Sequence, residues 1–214
     1  MPIPVITVAQ MREWEQATWA AGQTETEVIR RVGKVLAQRA RQLTKPGSLI
    51  LILAGKGHNG DDARAASEHL SDRQVELLDV ASPQTDLPKL TAALAQRPKL
   101  VVDALFGIGL NRPLDGPWIK FITCINQARL PVLCVDVPSG LNAETGETFG
   151  AAIEASVTFT VGAQIFPRVV QPEIRDEIVK AGKESGFQFI TLDLAGYRTG
   201  SLNELLNGKS LKLV

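Results

Sequence analysis

Ser48-Leu49-Ile50-Leu51-Ile52-Leu53-Ala54, followed at once by Gly55-Lys56-Gly57-His58-Asn59-Gly60-Asp61-Asp62, decides the fold. A continuous apolar run of this length, without alternation, fits a strand buried on both faces, as in a parallel sheet. Glycines directly after it let the chain turn sharply into a following helix. Working outward, similar apolar runs occupy residues 75–80, 100–106, 132–137, 157–161 and 187–192. Segments of helical character lie between them, at about 62–70, 87–96, 117–128 and 172–185. Strand alternating with helix predicts a layered α/β/α fold with a mostly parallel sheet.

Two helices are predicted before the first strand. Thr7 and Gln10, and again Thr24 and Glu27, have the spacing of a capping box. After the first box Met11, Trp14, Thr18 and Ala21 recur at helical spacing, and Gly22 suits a helix stop. After the second, Val28, Val32, Val35, Leu36 and Leu43 form an apolar stripe that ends before Pro46-Gly47. Arg30, Arg31, Lys34, Arg39 and Arg41 lie mainly elsewhere and read as a solvated face. Residues 196–214 read as a short helix or a loose tail on a single domain spanning 1–214.

Composition narrows the function. The chain has 214 residues, 44% hydrophobic, with 23 Lys plus Arg against 23 Asp plus Glu. A formal net charge of zero argues against a broad surface for nucleic acid or anionic membrane. The start, Met1-Pro2-Ile3-Pro4-Val5-Ile6-Thr7, lacks the pattern of a signal peptide, and no apolar run approaches a membrane span. A cytoplasmic protein is the expectation. Cys124 and Cys134 fall in a predicted helix and strand and read as reduced, buried thiols.

Three segments carry candidate chemistry. In the first, Gly55, Gly57 and Gly60 have Gly-x-Gly-x-x-Gly spacing, but no acid clearly placed for a ribose ends the next strand except Asp79. A purely structural turn competes with an anion site at the helix N-terminus, but His58, Asn59, Asp61 and Asp62 are more polar groups than a turn needs. In the second, Asp103 interrupts an apolar strand and is followed by Gly107-Ile108-Gly109-Leu110-Asn111-Arg112-Pro113. A carboxylate there must be hydrogen-bonded, paired or bound to a cation. Arg112 is placed either to hold a phosphate or to lie on the surface. In the third, Asp136 ends a strand and Pro138-Ser139-Gly140 turns the chain. Ligands bind beyond the carboxyl ends of strands in open α/β sheets, so these loops are expected to converge. Oxygen donors from Asn59, Asp62, Asp103, Asp136 and Ser139 suit a hard cation rather than zinc. His69 and the tryptophans Trp14, Trp19 and Trp118 read as structural. Ser139 has neither a partner base nor the Gly-x-Ser-x-Gly elbow of a serine hydrolase.

In that order the three segments resemble the NAD(P)HX epimerase family, whose domain is known as the YjeF N-terminal domain. The resemblance covers about residues 7–161. It rests chiefly on 103–113 joined to Asp136-Val137-Pro138-Ser139-Gly140-Leu141, with Glu144-Thr145-Gly146-Glu147 after it. It implies a Rossmann-like α/β/α sandwich, often dimeric, that interconverts the R and S epimers of hydrated NADH or NADPH. The dinucleotide would then meet His58, Asn59, Gly60, Asp61 and Asp62, and Gly107, Ile108, Gly109, Leu110, Asn111, Arg112 and Pro113. Asn59, Asp103 and Ser139 would lie at a potassium site, and Asp136 would face the substrate as acid and base. A separate NAD(P)HX dehydratase would complete repair.

The family's turn carries glycine where this chain has Asp61, and Gly162-Ala163-Gln164-Ile165 lacks a lysine frequent in relatives. Those two departures favour a second reading, a non-catalytic nucleotide-binding or interaction module of the same fold. A third, a nicotinamide dehydrogenase, lacks a second substrate domain and a well-placed ribose acid.

Overall fold

A computed structural model describes residues 8–160. Those residues belong to one compact unit, Ile6–Ile165. The elements run α1 (Val8–Ala20), α2 (Glu25–Leu43), β1 (Leu49–Ala54), α3 (His58–Glu68), β2 (Gln74–Asp79), α4 (Pro83–Ala95), β3 (Leu100–Ala104), α5 (Gly116–Gln127), β4 (Val132–Val135) and β5 (Val157–Phe159). The Thr7 capping box, helix 172–185, strand 187–192, Gln164 and the tail 196–214 lie outside the described residues.

The strands form one parallel sheet in the order β2-β1-β3-β4-β5. Chain order reverses between β1 and β3, which is the switch point where doubly wound sheets open a crevice at their carboxyl ends. Ala54 is in register with both Asp79 and Ala104, and Asp103 with Cys134. The glycine turn, the loop of 105–115 and the turn at Asp136 therefore leave the sheet at neighbouring strand ends.

The absence of alternation in β1 has its cause in two covered faces. Ile50 and Ile52 pack with Leu36, Ala37, Ala63 and Ala66 of α2 and α3. Leu51 and Leu53 pack with Leu90, Leu94, Phe121 and Ile122 of α4 and α5. Helices on both faces of the sheet make the three layers. β2 differs from its reading as a buried run: it is an edge strand, and its Leu77 is 38% exposed. With a neighbour on one side only, it has no fully buried residue, where β1 is buried along nearly its whole length.

Helix boundaries follow local chemistry. Thr24 caps α2 with both capping-box bonds formed, Thr24 Oγ1 accepting from Glu27 N and Glu27 Oε2 accepting from Thr24 N. Gly22 closes α1 at φ +88°, where glycine is least strained. α4 begins four residues before the apolar pattern starts, because Pro83 suits a first turn, while Pro88 lies inside the helix. α3 likewise begins inside the glycine turn, with Gly57 as its N-cap and no capping side chain. Among the described residues no helix is long and apolar enough to cross a membrane.

α2 and α3 meet closely at Gly33. A Cβ there would lie 2.6 Å from Ala65 Cβ and 2.8 Å from Ala66 N. In an open helix Gly→Ala stabilises by about 1 kcal/mol. Here the sign reverses: Gly33→Ala is expected to destabilise by roughly 1–3 kcal/mol through overpacking. Chemical denaturation of the two proteins checks the sign.

Candidate functional site

The turn after β1 is built by close approach rather than by unusual dihedrals. A side chain at Gly55 would strike the Leu105 carbonyl, and one at Gly60 would strike the Gly55 carbonyl. These two glycines press the turn onto the β3 loop. Gly57, by contrast, faces open space. The first-turn N–H groups of α3 consequently open at the mouth of the crevice without a capping side chain.

Beneath the crevice floor lies Asp103, fully buried. Its Oδ1 accepts from Ser139 Oγ at 2.6 Å and Leu105 N at 3.3 Å. Its Oδ2 accepts from Ser139 N at 2.9 Å and Cys134 Sγ at 3.1 Å. Every donor is neutral. Burial holds the Asp103 carboxyl above the usual carboxylate range, against the lowering effect of the Ser139 bonds. Burial, with the Asp103 charge beside it, also raises the Cys134 thiol. Ser139 Oγ accepts from Phe106 N at 2.9 Å, and the Asn59 amide donates to Phe106 O at 3.0 Å and Val135 O at 2.8 Å. Asn59 and Ser139 thus hold the Phe106 backbone from its two sides, and Ser139 links it to Asp103.

Asp136 is placed differently. Its φ of +68° is a left-handed conformation uncommon for a side-chain-bearing residue. Its N–H donates to Phe159 O at 2.7 Å, and its carbonyl accepts from Thr160 Oγ1 at 3.2 Å. Its carboxylate accepts from Ile108 N at 3.1 Å. Gly107 makes that approach possible, since a Cβ there would lie 3.0 Å from Asp136 Oδ2 and 3.1 Å from the Asn59 amide. Asp136 is 7% exposed, and burial pushes its carboxyl up to about 6 despite the Ile108 bond.

Above these groups opens a cavity of about 640 Å³, within the range of cofactor sites. Of the residues expected to meet a ligand, His58, Asn59, Asp62, Gly107, Ile108, Gly109, Leu110, Asn111, Arg112 and Asp136 line it. Pro113 lines a smaller adjoining hollow. Gly60 is buried in the turn. Asp61 faces away, where its carboxylate pairs with Arg64 at 2.8 Å. Arg64 also holds Asp79 at 2.8 Å and the Gly55 carbonyl at 2.8 Å. Asp79, the acid considered for a ribose, is thereby engaged outside the cavity wall. His58 Nε2 lies 3.0 Å from Glu25 Oε1.

Other lining residues had no signal in the sequence. Met11, Arg12 and Glu15 come from α1, Lys56 from the turn, and Trp118 from α5. Trp118 was read as packing alone. It does pack, edge-on to Phe106 and Phe121 with ring centroids 4.6 and 5.7 Å away, yet it also forms cavity wall. Arg12, Lys56 and Arg112 make no hydrogen bond or ion pair among the described residues. They leave positive charge at the rim.

With this geometry established, the chain belongs to a doubly wound α/β class whose crevice lies at the β1/β3 switch. More specifically, it is a member of the family described as YjeF-related protein N-terminus, whose model matches residues 25–96 and 78–165. It is 36% identical over 177 residues to the NAD(P)H-hydrate epimerase of Achromobacter xylosoxidans, covering 73% of this chain and 83% of that one. To the NAD(P)H-hydrate epimerase of Limosilactobacillus fermentum it is 33% identical over 184 residues, covering 72% and 84%. It is also 32% identical over 164 residues to a bifunctional NAD(P)H-hydrate repair enzyme of Hyperthermus butylicus, covering 65% of this chain and 30% of that one.

Asp62 yields a stability prediction. Burial pushes its carboxyl up to about 7, with the charges of Asp136, Asp61 and Glu15 adding to the shift. Unfolded, it titrates near 4. Between those values the folded chain holds a proton that the unfolded chain has released, so stability falls as pH rises through that window. Asp62→Asn is expected to stabilise the protein by on the order of 2–4 kcal/mol at pH 8 and hardly at all near pH 4. Urea unfolding at the two pH values measures the difference.

Proposed function

We propose that this chain is an epimerase that interconverts the R and S forms of hydrated NADH and NADPH. The observation that carries the reading is Asp136: a nearly buried carboxyl, aimed by left-handed backbone into a cofactor-sized cavity, within a family whose relatives bear that activity in their names. The epimerised carbon carries a hydroxyl beside a ring nitrogen. Protonating the departing oxygen gives water and an iminium, and water adding to the other face, with loss of a proton, gives the other epimer. Nothing is oxidised or reduced. Asp136 transfers protons in this exchange and stabilises the cation electrostatically. Phosphates of the dinucleotide would be met by the first turn of α3 and by Lys56, Arg12 and Arg112.

The non-catalytic reading drew support from a carboxylate at position 61 beside the phosphates. That carboxylate is turned toward Arg64, which favours catalysis.

Asn59, Asp103 and Ser139 fit potassium. A buried carboxylate with only neutral donors, a hydroxyl and an amide make an oxygen-rich set suited to a large, hard cation. Bound there, the ion would supply positive charge that fixes the β3 and β4 loops under the substrate. The protein is proposed to act in the cytoplasm, functionally coupled to a dehydratase that consumes the S form, and as a homodimer.

Epimeric NADHX mixed with an S-specific dehydratase tests the activity. The chain is expected to accelerate consumption of the R form over its spontaneous rate, and Asp136→Asn to lower kcat by about 10²- to 10⁴-fold. Near-normal rates in that variant would remove Asp136 from the mechanism. For the cation, the thermal midpoint is expected to be higher in potassium chloride than in tetramethylammonium chloride at equal ionic strength. Asp103→Asn is expected to erase that difference.

A further inference from the structure

A single fixed carboxyl directly reaches only one face of a flat iminium, so Asp136 alone would need a water relay or a turn of the ring to complete both transfers. The leaving oxygen must be protonated on one face while the incoming water loses its proton on the other. Substitution of oxygen with inversion at a comparable sugar carbon uses two carboxyls for this reason, one as acid and one as base. Besides Glu15 of α1, the cavity wall holds a second deeply buried carboxyl to which the proton transfers above give no part.

Asp62 is 8% exposed and lines the cavity, yet among the described residues it makes no hydrogen bond and no ion pair. Its neighbours on both sides in the chain are accounted for. Asp61 is paired with Arg64, and Ala63 is sealed in the core beneath α3. A structural carboxylate so buried would be bonded or paired, as Asp103 and Asp86 are. The Asp62 backbone lies near the start of α3, where Gly60 sits against the Gly55 carbonyl of the turn. Asp62 belongs to no transition-metal cluster: among the described residues no three His, Cys, Asp or Glu side chains gather to hold a metal.

We propose that Asp62 is the second proton-transferring residue of the reaction, the acid that protonates the departing hydroxyl while Asp136 accepts the proton of the incoming water. The assignment rests on the epimerase reading. The C–OH bond breaks as Asp62 gives its proton to the oxygen, and water leaves. The ring nitrogen lone pair forms the iminium. Water then bonds to the carbon and yields its proton to Asp136. Return of that proton to Asp62 through solvent resets the site, and the reverse reaction exchanges the two roles. The groups facing the pair divide by sign: Glu15 and Asp61 favour the protonated form of Asp62, while Lys56, Arg12, Arg112 and His58 stand around the same cavity. Burial pushes both carboxyls up, Asp62 to about 7 and Asp136 to about 6, which brings both within reach of proton exchange near neutrality.

The test compares the full chain with Asp62→Asn and Asp62→Glu in the coupled NADHX assay from pH 5 to 9, with spontaneous epimerisation subtracted. Thermal unfolding confirms that each variant is folded. The wild-type kcat/KM is expected to fall on both sides of neutrality. Asp62→Asn should lower kcat by about 10²- to 10⁴-fold with little change in KM, and its alkaline limb should vanish. Asp62→Glu should restore part of the rate and the limb with it. An Asp62→Asn rate within about threefold of wild type, or a loss that leaves the alkaline limb in place, overturns the proposal while leaving the epimerase reading intact. A folded wild-type protein without acceleration overturns that reading, and this assignment with it.

Discussion

The Asp103–Ser139 contact is the constraint on which the site depends. One carboxylate, sealed at the end of β3, receives both the hydroxyl and the N–H of a residue in the turn after β4. Ser139 in turn takes the N–H of Phe106, so three chain segments are tied at one point. Without the carboxylate the Ser139 N–H would lack its acceptor and the hydroxyl would keep only the longer bond to Phe106 O at 3.3 Å, and an orphaned buried donor costs about 1–3 kcal/mol. Without the serine, the carboxylate would lose two of its four donors and keep only Leu105 N and Cys134 Sγ in a dry interior. Each half of the contact requires the other, which is how two loops far apart in sequence acquire one fixed geometry.

What rests on that contact is a set of close approaches. At Gly55 and Gly60 a Cβ would collide with backbone, and at Gly107 it would crowd Asp136 and Asn59. Their service is space rather than flexibility. The strain appears instead at Asp136, whose left-handed backbone is held by Phe159 and Thr160. Such strain survives only where neighbours overdetermine it, and it gathers at functional sites. The carboxylate is aimed as a consequence of a turn that hydrogen bonds have already decided.

The distribution of charge separates structure from chemistry. Arg64 absorbs Asp61, Asp79 and the Gly55 carbonyl in one fork, and Arg73 similarly ties Thr44 and Asp72 together on the far side. Those arginines are spent on the fold. Lys56, Arg12 and Arg112 are not, and they surround the opening that contains Asp62 and Asp136. Cations at the rim attract an anionic substrate, while the low-dielectric floor keeps carboxyls protonated at pH values where water would ionise them.

The sequence by itself determined the layered α/β/α fold, the order of elements through 160 and the three loops that carry polar residues. Its reach there has a physical basis: burial of both sheet faces demands unbroken apolar runs, and an acid ending such a run needs a partner or a purpose. Start points of α3 and α4 were misjudged because first turns accept glycine, proline and polar residues that carry no helical periodicity. The half-exposed character of β2 could not be seen, since strand order is not written in any local pattern. Nor was the α1 contribution of Met11, Arg12 and Glu15 legible, or the double duty of Trp118. Whether Asp61 or Asp62 faces the cavity was likewise settled only by folding. Adjacent helical residues point about 100° apart, and the choice between them falls to how α3 docks on the sheet.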